Sequence, residues 1–229
     1  MDTIDASKLT TRELNQELKR LAAAGSEITV LNPQARHNIG VGILESCKIN
    51  ISGSVGYYAA SLLDGPEVVI EGNAGWALGE NLMSGKISLS RDAGASVAAS
   101  MRGGEIYVGG NVGARAGIAM KGGRLIIGGD SGFLTGFMMQ KGEIIVCGNA
   151  GDAVGDSIYE GVIYVAGSYG SLGNDAKVED ATEDELIRLW DILDRHGASQ
   201  NTYTHFTKIV SAKKLYHLDS LERLEKTVF

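Results

Sequence analysis

The chain has 229 residues, Lys+Arg 21 against Asp+Glu 28, a formal net charge of −7 and 44% hydrophobic residues. That apolar content suffices for one packed core, while the acidic balance argues against nucleic-acid or membrane-surface roles, which need a basic patch. No apolar run approaches the ~18 residues of a membrane span. Residues 1–20 lack an apolar signal core, and the distant cysteines Cys47 and Cys147 make no disulfide framework, which fits a reducing cytoplasm.

Residues 1–37 read as a helix and lead-in. Thr10 with Glu13 three positions on is a capping box. The spacing predicts a helix from about Thr11 to Ala24, with Leu14, Leu18 and Leu21 on one stripe and Gly25 as its stop. Ile28-Thr29-Val30-Leu31 reads as a strand, broken by Asn32-Pro33.

Residues 38–170 are a repeat. Each phrase closes on a glycine, at 56, 75, 94, 113, 132, 151 and 170, a constant step of 19. A fixed period marks a stacked architecture in which each copy buries its neighbour's face. Numbering each copy from residue 38, position 12 holds Ile49, Val68, Ile87, Ile106, Leu125, Ile144 and Ile163, and position 14 holds Ile51, Ile70, Leu89, Val108, Ile127, Val146 and Val165. Residues two apart share one strand face, and these types suit a packed pleated surface. Position 7 holds Leu44, Leu63, Leu82, Met101, Met120, Met139 and Ile158; position 4 is small, from Val41 to Gly155. Position 16 is glycine in all copies but one (Arg91), and position 17 is Asn, Asp or Ser throughout. Glycine then Asx is turn chemistry. Nineteen residues is too short for a helix-pair repeat and lacks a leucine-rich pattern. The chain is therefore expected to be all-β: a right-handed, single-stranded parallel β-helix of about seven 19-residue coils with flanking N- and C-terminal helices. At ~4.8 Å per coil the prism is roughly 30–35 Å long, with position 17 forming a side-chain ladder.

Position 13 should point outward, yet it carries Val69, Tyr107, Ile126, Ile145 and Tyr164. Such a stripe must be covered, either by the chain's own C-terminal helix or by a partner protein. That helix belongs to the extension 171–229. A second capping box, Thr182 with Glu185, opens it, Leu186, Leu189, Trp190 and Leu193 form its stripe, and Gly197 ends it. Phe206–Val210 reads as a short strand and Ser220–Lys226 as a helix.

The chemistry-bearing residues favour structural roles. Neither G-x-G-x-x-G nor G-x-x-x-x-G-K-[ST] occurs, and Lys86 and Lys121 lack that frame. Position 17 is Asp only at 92 and 130, too few carboxylates for calcium. Asp92 and Asp130, two coils apart at roughly 9–10 Å by coil rise, match a glycan-inverting spacing, but both belong to the turn ladder. Asp152, Asp156 and Glu160 share one coil and read as a solvated face. Histidines 37, 196, 205 and 217 lie outside the coils without partners at metal spacing, and His196 falls where a helix C-terminus favours a cation.

The Asn-Ala-Gly closures, the corners Met101-Arg102-Gly103-Gly104 and Met120-Lys121-Gly122-Gly123, and the seven coils resemble the glycine-rich (GXGXG) β-helix domain that ends the glutamate synthase large subunit. The likeness covers about residues 36–175, and Thr182–Lys214 also resembles the extension that follows that domain. The domain is similar, too, to the C subunit of formylmethanofuran dehydrogenase. His37-Asn38-Ile39-Gly40-Val41-Gly42 and Gly155-Asp156-Ser157 make the chain similar to stand-alone β-helix subunits of N-methylglutamate synthase and glutamate synthase. The resemblance implies a cytoplasmic, non-catalytic scaffold in a hetero-oligomer. Its expected partners are a class II glutaminase-like subunit, which uses an N-terminal cysteine, and a glutamate synthase-like subunit carrying FMN and an iron–sulfur cluster. This chain opens Met1-Asp2 and lacks a cluster-ligand set, so no catalytic, cofactor-binding or metal-binding residue of its own is expected. Two rivals are a formylmethanofuran-type subunit, whose partners would carry molybdenum or tungsten and zinc, and a stand-alone carbohydrate-active β-helix.

Overall fold

The computed structural model describes residues 2–197 and 205–213. Seven strands step through the repeat: β3 (Lys48–Ser52), β4 (Asp64–Ile70), β5 (Ser84–Leu89), β6 (Glu105–Val108), β7 (Lys121–Ile127), β8 (Lys141–Val146) and β9 (Val162–Val165). Two strands precede them, β1 (Asp2–Asp5) and β2 (Glu27–Leu31). Neighbouring strands pair in parallel at the repeat spacing, so Ile49, Val68, Ile87, Ile106, Leu125, Ile144 and Ile163 stack in one row. The two inward rows of aliphatic side chains are buried and belong to one continuous core. A second contact line, one bridge per coil, runs Val55, Ala74, Ala93, Val112, Ser131, Ala150, Tyr169. The fold is a parallel β-solenoid of about seven turns.

The bend after each closing glycine from Gly56 to Gly151 uses left-handed backbone at alternate residues, as at Tyr58, Ala60 and Leu62 or Arg115, Gly117 and Ala119. This backbone costs roughly 1–2 kcal/mol per non-glycine residue. Coil-to-coil hydrogen bonds offset that cost: Tyr58 N–H donates to Trp76 O, Ala60 N–H to Ile39 O and Leu62 N–H to Glu80 O, each at 2.8 Å. The first bend departs from the expected frame. Asn38, Gly40 and Gly42 hold its left-handed positions, so Gly40 rather than Val41 matches Ala60. Ile43 fills the core slot of Leu63 at 1% exposure, and Leu44 stands 66% exposed. One extra residue between Ile43 and Lys48 restores the strand register, and the glycine count misses it because it starts later, at Gly56.

The parallel stack continues N-terminally. β2 pairs with β3 and β1 pairs with β2, both in parallel. Between them α1 (Thr11–Ala23) carries the expected capping box of Thr10 and Glu13. Its buried Leu14, Leu18 and Leu21 close the end of the core. Asn15 finishes the first bend. Gly40 N–H donates to Asn15 Oδ1 at 2.8 Å, where Ala60 finds a carbonyl of the preceding coil, and Asn15 Nδ2 donates to Asn38 O at 2.7 Å. At the other end the direction reverses. After β10 (Ala176–Glu179) and α2 (Glu183–Asp194), the strand expected at Phe206–Val210 appears as β11 (Thr207–Ser211). β11 lies antiparallel to both β9 and β10. The helix expected over Ser220–Lys226 lies outside the described residues.

Candidate functional site

The outward rows of the sheet decide where the chain covers itself. In the first three coils position 13 reads Asn50, Val69, Ser88; in the next four it reads Tyr107, Ile126, Ile145, Tyr164. α2 covers the second group. Ile126, Ile145, Tyr164 and Cys147 cluster with Leu189, Ile192, Leu193 and Phe206 in a second core outside the solenoid. The apolar stripe is therefore covered by the chain's own helix over these coils, and it leaves only Val69, 41% exposed, in the open part. The stripe therefore does not itself require a partner.

α2 lies along the stacking axis and runs back toward the N-terminal end. Glu185 accepts from Tyr164 Oη at 2.9 Å beside β9, Arg188 Nη1 donates to Glu143 Oε2 at 3.0 Å on β8, and His196 Nε2 lies 3.3 Å from Glu105 Oε1 on β6. The eleven steps from Glu185 to His196, helical to Asp194 and with Arg195 still in helical conformation, rise about 16 Å, close to the ~14 Å of three coils. His196, just past the helix, also stacks on Tyr107 at 4.3 Å. Its partner is thus a strand carboxylate, beyond the helix-end effect expected for it.

These contacts fall on a charge row that the sequence reading did not single out. Position 11 and its predecessor run Glu27, Lys48, Glu67, Lys86, Glu105, Arg124, Glu143, each opposite the next across the parallel pairs. Like charges facing each other across strands repel, so strict alternation is what lets charged residues stack at this spacing. Arg124 bridges Glu105 at 3.0 Å and Glu143 at 2.6 Å. The same 19-residue register that exposes the apolar rows carries this signal.

The network shifts its ionisable groups. The His196 hydrogen bond, followed by that of Arg124, holds the Glu105 carboxyl down at about 2 against the cost of its burial. Burial opposes ionisation of Glu185, but Lys208, the Thr182 amide and Tyr164 together hold it at about 2. Burial, then the Glu185 hydrogen bond, pushes the Tyr164 hydroxyl well above its usual range.

The position-17 residues form the expected ladder, by bonds from side chain to backbone. Asp92 N–H donates to Asn73 Oδ1 (3.2 Å), Asn111 N–H to Asp92 Oδ1 (2.7 Å), Asp130 N–H to Asn111 Oδ1 (2.8 Å) and Asn149 N–H to Asp130 Oδ1 (2.6 Å). Ser54 and Ser168 end it. Asp92 and Asp130 thus each satisfy the next coil's amide. Asp152 and Asp156 do similar work, accepting from Ser171 Oγ and from Asn174 N–H; Glu160 is exposed. His37 stacks on Tyr57 at 4.4 Å, His205 is exposed, and His217 lies outside the described residues. Cys47 and Cys147 form no disulfide. Among the described residues no three His, Cys, Asp or Glu side chains are grouped to hold a metal ion.

Among the described residues, exposed apolar side chains gather on the bend of the first coils. Tyr57 stacks on Trp76 at 5.4 Å, continuing the His37 stack, and Tyr57, Tyr58, Leu62 and Trp76 are 42–58% exposed. Glycine is required beneath these rings: a Cβ on Gly75 would lie 2.4 Å from Tyr57 Cδ1, and one on Gly94 the same distance from Trp76 Cδ1. Contiguous exposed aromatics of this kind mark interaction surfaces. No helix among the described residues is long and apolar enough to cross a membrane.

A glycine-cornered parallel solenoid in which Asx side chains and an alternating charge row tie coil to coil is a stacked-repeat protein. Residues 29–226 match the family model described as the GXGXG motif. The chain belongs to this family, the glycine-rich β-helix family of the glutamate synthase large subunit's C-terminal domain. It is also similar to Protein GlxC of Rhizobium meliloti (strain 1021), 36% identical over 67 residues, which cover 28% of this chain and 29% of that protein.

Proposed function

We propose that the chain is a scaffold subunit, without catalytic residues of its own, in a glutamate-synthase-like complex. In this reading it joins a class II glutaminase-like subunit to an FMN- and iron–sulfur-carrying synthase subunit that makes glutamate or N-methylglutamate. The observation that carries this is the family match across most of the chain. The fold supports it: a stack in which each coil is tied to the next by hydrogen bonds is a stiff spacer. The residues present do not fit a cluster within this chain, since such clusters take about four thiolates and the chain has two cysteines, one buried beneath α2. The exposed aromatic bend of the first coils offers a docking surface for one catalytic subunit.

Reconstitution tests the reading. The chain is co-expressed with candidate class II glutaminase-like and FMN/iron–sulfur synthase-like subunits from its own genome. The expected result is one co-eluting assembly whose glutamine-dependent synthesis needs the chain. Equal coupling of the two catalytic subunits without it would overturn the proposal, as would turnover by the isolated chain.

A further inference from the structure

The sheet has two terminal strands, β1 and β10, and among the described residues the outer edge of each is unpaired. Such an edge presents free N–H and C=O groups to any incoming strand. β1 carries only acidic charge, Asp2 and Asp5, which repels a second copy of itself. β10 reads Ala176-Lys177-Val178-Glu179, with both signs of charge and Val178 44% exposed.

The hydrogen-bond parity of β10 fixes which groups face outward. Ala212 N–H donates to Asp175 O, so Asp175 bonds toward β11. Alternation along an antiparallel pair turns Lys177 and Glu179 the same way. Ala176 and Val178 then turn their backbone groups the other way: Ala176 N–H donates to Gly173 O of its own chain at 3.4 Å, and Val178 directs its N–H and C=O to the open edge. Their side chains share the face of Ile209, which is buried, whereas Lys177 and Glu179 share the face of Lys208. In the protomer Lys177 Nζ lies 2.7 Å from Glu179 Oε1, and Lys208 Nζ lies 4.0 Å from Glu179 Oε2.

We propose that β10 pairs antiparallel with β10 of a second copy of this chain, about a two-fold axis at Val178. Val178 exchanges two hydrogen bonds with its symmetry mate. Lys177 then stands opposite Glu179 of the second copy, and the reverse, in the close non-hydrogen-bonded pairs with Cα atoms about 4.5 Å apart. The charges select this register. A slip of two residues sets Lys177 against Lys177 or Glu179 against Glu179, and like charges directly opposite destabilise. A slip of one residue mismatches the outward hydrogen-bonding groups. The two Val178 side chains meet on the core-side face and extend the buried Ile163–Ile209 row across the axis. This self-association is independent of the heteromeric reading above.

The test is the mass of the full chain in solution, by sedimentation equilibrium, for wild type, Lys177→Glu and Glu179→Lys. Wild type is expected at twice the 24.1 kDa chain mass. Each variant loses both cross-copy pairs and gains two repulsions, weakening self-association on the order of tenfold or more. Mixing the two variants restores a dimer, because an all-acidic β10 then meets an all-basic one; within either protomer the charges still repel. Circular dichroism melts matching wild type confirm that the variants fold, and hydrogen exchange at the Val178 amide slows as wild-type concentration rises. A monomeric wild type overturns the proposal, as do single variants that remain dimeric or a mixture that stays monomeric. Val178 protection that does not change with concentration also overturns it, by placing another segment of the same chain on that edge.

Discussion

Gly117→Ala tests whether the bend glycines are space-makers for the next coils' core side chains. A Cβ at Gly117 would lie 2.4 Å from Ile144 Cδ1 and 3.3 Å from Ile144 Cγ1, with the next atom, Met120 Sδ, at 3.7 Å. The left-handed backbone at φ +70 is not the obstacle, because Ala60 (φ 52) and Ala98 (φ 59) adopt it in other coils. It adds roughly 1 kcal/mol, and overpacking adds about 1–3 kcal/mol. The variant should therefore lose about 3 kcal/mol, or roughly 6–12 °C of melting temperature for a chain of this size. Ile144→Val removes the clashing Cδ1 and alone costs about 1 kcal/mol. If the clash dominates, the double variant loses only about 2 kcal/mol instead of the ~4 of independent effects. Denaturant midpoints followed by circular dichroism give the coupling. A coupling within about 0.5 kcal/mol of zero would refute the steric account.

Asp130→Ala should cost about 1 kcal/mol by leaving the Asn149 amide without its acceptor, whereas Asp130→Asn keeps Oδ1 and should melt with wild type; equal losses would contradict the ladder role. Leu189→Ala, at a fully buried contact between α2 and the sheet, should cost about 2–5 kcal/mol. It should also expose Cys147, now 6% accessible, to thiol reagents, and an unchanged labelling rate would show that α2 does not cover it. Because Glu105 is depressed to about 2 in the fold, its stabilisation is fully present above the ordinary carboxylate value of about 4.3 and is lost as pH falls toward 2. His196→Ala removes the largest cause of that depression, so its melts should show less acid destabilisation across that window; identical pH profiles would dismiss the pair.

Much of this molecule is written locally. The 19-residue step, the inward Ile/Val/Leu rows, the Asx ladder and both capping boxes each depend on residues near in sequence or one period away, and identical interactions repeat in every coil. The alternating charge row is legible in the same way once position 11 is aligned. Sequence patterning exposed the apolar stripe but could not choose its cover. That choice rests on Arg188 meeting Glu143 and His196 meeting Glu105, contacts between segments 45 and 91 residues apart that no local period encodes. The extra residue in the first bend was hidden because glycines mark only where a coil closes, whereas core slots follow backbone conformation. The reversed β10–β11 pair and the closure of the first bend by Asn15 are likewise tertiary decisions. Past the last regular coil no identical partner follows, so a segment distant in sequence supplies the bonds instead, Asn15 at the first bend and β11 along β9.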